Sequence, residues 1–240
     1  MLDMLDAEAL ELTIVPLACK YCLRGGDSAT LLAVAGHFGR LCHGVSSHLT
    51  DDQRKYFVDF YRKLCRIGAP KKGGRMDGGG GRGAYMSDDD DFGRSEHDHE
   101  LEECRRRAAY NLPALAVFVG AKSFRAELGA SLAALCADQC ASVRATVGAG
   151  LHEVARILGG GAAGAVTLLP ELATLLNDGQ AEVLAGGVLE RLGETLEAVG
   201  RGKIAPAVDA RLYDVVSAVL AADVVVFAGN DWRLQVGHIN

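Results

Sequence analysis

Leu128 to Leu158 reads LGASLAALCADQCASVRATVGAGLHEVARIL, and Leu168 to Val199 reads LLPELATLLNDGQAEVLAGGVLERLGETLEAV. Laid over one another at an offset of 40 residues, Leu128, Leu132, Leu135, Cys136, Asp138 and Val143 meet Leu168, Leu172, Leu175, Leu176, Asp178 and Val183. Apolar residues at steps of four and three share one face of a helix, so each stretch opens with an amphipathic helix that ends in an Asp-containing turn. A second amphipathic helix follows, marked by Val147, Leu151, Val154 and Leu158 in one copy. In the other it is marked by Val188, Leu192, Leu196 and Val199, one residue out of phase. Such a hairpin exposes an apolar face that only another hairpin can cover, which is the logic of a stacked array.

Working outward, the same triplet appears as Leu10, Ile14, Leu17, as Phe57, Tyr61, Leu64 and as Val208, Leu212, Val215. The expected fold is therefore all-α, an α-solenoid of about five helical hairpins with incomplete units at the ends, forming a single segment over residues 1–240. Composition agrees. With 6% aromatic residues and an abundance of Ala and Leu, the chain lacks the β-branched and aromatic content of a sandwich or barrel. Gly is high, at 30 of 240 residues, but it follows no collagen-like period.

One stretch departs from the pattern. Residues 69–95 (APKKGGRMDGGGGRGAYMSDDDDFGRS) hold eight of the Gly residues and four consecutive Asp. They contain too little apolar surface to offset the entropy of ordering, so a disordered Gly/Asp-rich loop is expected to interrupt the array there. Ser95 offers a helix cap where that loop ends, Thr50 with Gln53 forms a capping box, and Gly68 stops a helix. Gly148, Gly150, Gly186 and Gly187 fall inside second helices, where Gly is costly unless another helix packs close.

The net charge of −6 argues against bulk binding to nucleic acid or an anionic membrane. The most apolar window, Val215 to Gly229, is too short and too polar to span a bilayer. The N-terminus carries Asp where a secretory signal carries Lys or Arg. Seven Cys without paired spacing read as reduced thiols packed as small hydrophobes. A cytoplasmic protein is expected.

Catalytic and metal motifs are weak. Cys19 and Cys22 with His37 and His43 have zinc-finger spacing, but both His fall in one helix, about 240° apart around its axis. His97-Asp98-His99-Glu100 reads as a solvated helix start, with a metal-dependent activity there as the least favoured function. His152-Glu153 lacks a second His, and the Gly-rich runs lack the Lys and Ser/Thr of a phosphate loop. No catalytic residue, metal ligand or cofactor is expected. Arg105-Arg106-Arg107 follows acids between Glu100 and Glu103 and reads as a self-neutralised solvated face. Trp232, the sole Trp, sits in a turn position, where it either packs between units or anchors a partner.

The helix, Asp turn, Val-Arg, helix order resembles the HEAT repeat, whose period matches. That resemblance implies a structural ladder between units built from Asp138, Val143, Arg144 and Val183. Arg105 and Arg233 hold places equivalent to Arg144, and Leu184 replaces Arg in the next copy. Thr50–Cys65 (TDDQRKYFVDFYRKLC), Glu103–Val119 (ECRRRAAYNLPALAVFV, with a kink at Asn111-Leu112-Pro113-Ala114) and Asp231–Gln235 (DWRLQ) look like HEAT-repeat regulatory subunits of serine/threonine protein phosphatases. Type 4 subunits are the nearest in appearance, and the type 2A scaffold is more distant. The resemblance implies a non-catalytic scaffold that binds a phosphatase catalytic subunit, type 4 by preference, and positions substrates. Asp178, Asp231, Trp232 and Arg233 in the turns are the candidate partner-binding residues. The other binding-module reading is a HEAT adaptor for transport or cytoskeletal assemblies unrelated to phosphatases. Members of the family are longer, so an excerpt of a larger array is expected.

Overall fold

Helices form where the repeated apolar frame places them, with local signals setting their ends. The computed structural model describes residues 6–22, 27–69 and 88–200. Helical segments α1 (residues 7–22), α2 (Ser28–Val45), α3 (Asp51–Leu64) and α4 (Asp88–Val119) are followed by α5 (Ala121–Cys136), α6 (Ala141–Leu158), α7 (Ala162–Leu176) and α8 (residues 182–200). There is no strand among the described residues. The expected capping box is present at α3. Gln53 N donates to the Thr50 hydroxyl at 3.3 Å, and Thr50 N donates to Gln53 Oε1 at 2.9 Å. Gly120, at φ 79°, is the single residue between α4 and α5, a left-handed conformation that favours Gly.

The eight segments pair into four hairpins: α1/α2, α3/α4, α5/α6 and α7/α8. The even-numbered helices stack side by side, α2 on α4, α4 on α6 and α6 on α8, while α3, α5 and α7 form the other layer. This is an all-α solenoid. The triplets Phe57-Tyr61-Leu64, Leu128-Leu132-Leu135 and Leu168-Leu172-Leu175 are all at most 2% exposed, so the recurring face is the seam between layers. Removing such a Leu side chain costs about 2–5 kcal/mol. At one end of the core Phe38 stacks on Phe57 and Tyr61, and the Tyr61 hydroxyl donates to the Ala108 carbonyl at 2.8 Å.

Four expectations need correction or placing. The helix before Arg105 begins at Asp88 rather than at the Ser95 cap, so the expected 69–95 loop does not reach past residue 87, and its residues 70–87 lie outside the described residues. The Asp run holds neither Gly nor Pro, and acids suit the first turn of a helix. In α1 the triplet is misphased, because Leu17 is 46% exposed while Leu10, Val15 and Ala18 are buried. Two π-helical stretches, Leu10–Ile14 and Ala18–Cys22, widen the turn and shift the apolar face. The same device absorbs the phase slip in α8, which opens with a π stretch over Glu182–Val188 and buries Val188, Thr195 and Val199. The fifth hairpin, expected around Val208, Leu212 and Val215, lies outside the described residues.

Candidate partner-binding faces

Two features face the surroundings in a repeated way: the row of turns and the outer face of the even-numbered layer. The turns are held by arginine and aspartate. Arg105, at the third position before α4's apolar seam, reaches across to the next hairpin, where its Nε donates to Asp138 Oδ2 at 2.7 Å and its Nη2 to Oδ1 at 3.2 Å. One hairpin further on, Arg144 Nε and Nη2 donate to Asp178 at 2.5 and 3.1 Å. Each Asp also accepts from the backbone two residues on, Cys140 N and Gln180 N, both at 2.9 Å. Every rung therefore fixes a turn and ties two hairpins with the same carboxylate. Such fork-to-carboxylate geometry is the strongest side-chain hydrogen bonding available. Val143 and Val183 sit fully buried beside the rungs. Burial would raise the Asp178 carboxyl, but the Arg144 guanidinium and the Gln180 N–H outweigh it and lower it.

Arg105 corrects one expectation. It is 1% exposed, not part of a solvated face. Three consecutive helical residues fan over about 200°, so they cannot all point outward. Arg106 and Arg107 do what the spacing suggested, donating to Glu103 at 2.6–2.9 Å. The Arg106 guanidinium holds the Glu103 carboxyl down at about 2, with Arg107 adding to the effect.

The second feature is a groove of about 1280 Å³ across α2, α4, α6 and α8. Its floor is made by Gly39 and Gly44 of α2, Ala114 of α4, Ala145, Ala149 and Gly150 of α6 and Gly186 of α8. Large aliphatic side chains are missing from its lining. Tyr110 stands in it 76% exposed. Arg40 and His43 line it on α2, whereas Glu153 of α6 and Glu182 of α8 line the far side. Asn111, also in the wall, has both amide N–H groups and its oxygen engaged within the fold. Its amide donates to the Ala35 and Arg107 carbonyls at 2.9 and 2.8 Å, and its oxygen accepts from Gly39 N at 3.1 Å. It pins α2 onto α4 two residues before Pro113, which sits inside α4 without breaking it.

The glycines explain why the layer is thin. A Cβ on Gly39 would lie 2.8 Å from Ala114 Cβ, and one on Gly187 would lie 2.9 and 3.0 Å from the Ala145 backbone. One on Gly186 would meet nothing within 4 Å. Of the second-helix glycines, Gly148 and Gly187 mark close backbone approach, Gly150 leaves room for an ordinary contact with the Pro113 ring, and Gly186 is open. This groove was not anticipated from the sequence. The signal lay in small residues scattered over four helices, which no local pattern joins.

Among the described residues no group of three His, Cys, Asp or Glu is placed to hold a metal ion. The six cysteines whose side chains are described are free, and burial pushes Cys65 up to about 12. No described helix is long and apolar enough to cross a membrane. Of the turn residues singled out in the sequence, Asp178 is engaged as above, and Asp231, Trp232 and Arg233 lie outside the described residues.

The chain is similar to regulatory subunit 4 of protein phosphatase 4. It is 32% identical over 239 residues to serine/threonine-protein phosphatase 4 regulatory subunit 4 of Mus musculus, covering 97% of this chain and 26% of that protein. To the Homo sapiens subunit it is 31% identical over 238 residues, with the same coverage. The chain thus spans about a quarter of the length of the regulatory subunit 4 proteins it matches. No protein-family model matches it.

Proposed function

We propose that the chain is a non-catalytic HEAT-type scaffold that engages the catalytic subunit of a serine/threonine protein phosphatase, type 4 by preference, and positions substrates for it in the cytoplasm. The observation that carries this reading is identity at the 32% level along 97% of the chain to a phosphatase 4 regulatory subunit. The fold supports it, since rungs that fix successive turns present them as a stiff row. In this reading the row of turns meets the catalytic subunit. Asp178 shapes one turn by binding Gln180 N, and Asp231, Trp232 and Arg233 supply contacts further along, with Trp232 as an aromatic anchor.

Affinity capture with the full chain tests the reading. The type 4 catalytic subunit and phosphatase activity co-purify, and Trp232→Ala with Arg233→Ala lowers recovery. If the wild-type chain recovers no phosphatase catalytic subunit, the reading fails and the transport or cytoskeletal adaptor takes its place.

A further inference from the structure

The groove across the even-numbered helices combines three properties that together define a ligand. It is long and crosses the helix axes. Its floor is Gly and Ala, so it lacks the apolar pockets that an amphipathic helix needs for docking. Its charge is divided, with Arg40 on α2 and Arg106 on α4 towards one end against Glu153 on α6 and Glu182 on α8 towards the other. Glu153 is 57% exposed, with the His152 ring 3.9 Å away and its charge felt by Arg191. Arg40 makes no ion pair among the described residues and is exposed. Between the two ends Tyr110 offers a ring face and a hydroxyl, the mixed character typical of binding hot spots.

We propose that this groove holds an extended segment of a protein partner, with an acidic side chain over Arg40 and a basic side chain over Glu153, clasped in the middle by Tyr110. The spacing follows from geometry. Packed helices lie about 8–10 Å apart, so α2 and α6, separated by α4, are about 16–20 Å apart. An extended chain rises about 3.3 Å per residue, which sets the two charges five or six positions apart. A helical segment would need roughly 11–13 positions to cover the same distance. The inference rests on the scaffold reading, since a partner held here lies beside whatever is bound at the turns, and it gives that reading's substrate-positioning role a recognition chemistry.

Selection from a displayed library of random 12-residue peptides on the full chain tests it. Enriched peptides carry Asp or Glu and Lys or Arg five or six positions apart, in one preferred order. On the charge-swapped variant Arg40→Glu with Glu153→Lys, that order reverses. Tyr110→Ala weakens the selected peptides about tenfold or more. All three positions are on the surface, and circular dichroism checks that the variants stay folded. No enrichment, enrichment without charge order, an order that survives the swap, or a spacing of 11–13 positions overturns the proposal. Capture of the type 4 catalytic subunit by the same variants separates the two readings. Charge-ordered peptides without phosphatase capture leave the groove standing and remove the phosphatase. Capture without charge-ordered peptides does the reverse.

Discussion

Between the second and third hairpins Arg105 meets Asp138 with side chains 2% and 3% exposed, while between the third and fourth Arg144 meets Asp178 at 14% and 9%. The residue pair, its fork-to-carboxylate bonds and the turn are the same, but the depth differs. Leu184 stands in the Arg position of the fourth hairpin, so that position cannot start a third rung. The gradient teaches that one motif can serve as an obligatory buried pair at one junction and a partly hydrated clasp at the next. A buried guanidinium depends on its carboxylate for charge compensation, because water cannot supply it there. A more accessible one recovers part of its hydration when the partner is lost.

The largest effect is expected from Asp138→Ala, which strands Arg105 in the core. Stability should fall by about 3–5 kcal/mol, read by urea unfolding. A loss under 1 kcal/mol would show that the pair is not buried in solution. Arg144→Ala sharpens the contrast. It should cost about 1.5–3 kcal/mol in the same measurement, and a cost equal to or above that of Asp138→Ala would erase the distinction between the junctions. Next come the glycines of the π stretch that begins the last described helix. Gly187→Ala drives a methyl into the Ala145 backbone and should cost about 1–3 kcal/mol. Its neighbour Gly186→Ala should be neutral or stabilising by up to about 1 kcal/mol, because no atom opposes the new methyl. Thermal melts of the two variants side by side decide whether the close approach is real.

The smallest effect concerns pH. Glu103 titrates at about 2 in the folded protein because of Arg106 and then Arg107, against about 4.3 in an unfolded chain. A depressed carboxyl contributes stability that is complete above the unfolded value and is lost as pH falls towards the folded one. Stability should therefore decline between about pH 4.5 and 2. Glu103→Gln should flatten part of that slope in acid titrations followed by circular dichroism. An unchanged slope would mean that the exposed Arg106 and Arg107 pairs contribute nothing.

How far the sequence could be read depended on whether the deciding contact was local. The faces of Phe57-Tyr61-Leu64 and Leu128-Leu132-Leu135 were legible because regular α-helical spacing puts them in register. Leu10-Ile14-Leu17 has the same spacing but was misread, since a π turn moves the buried face to Val15 and Ala18, and nothing in the spacing announces it. The slip between Val147 and Val188 was visible as a number, but its cause was not. Arg105 was hidden among three like charges, and only the forty-residue frame set it apart from Arg106 and Arg107. The groove was the least legible feature, because Gly39, Tyr110, Glu153 and Gly186 are joined only by stacking.

Arg105 has a third bond, donating through Nη1 to the Ile67 carbonyl at 2.8 Å, and Gly68 fits closely against Leu101. These contacts clamp the end of one helix to the body of the next on either side of the chain between Ala69 and Asp88. With Ile67 and Gly68 held against Arg105 and Leu101 by the solenoid itself, the pairing of α3 with α4 does not depend on the residues that join them. Evolution can therefore lengthen, shorten or rewrite the connection without disturbing the stack, and a reporter or affinity handle inserted there would be carried by the solenoid at little expense.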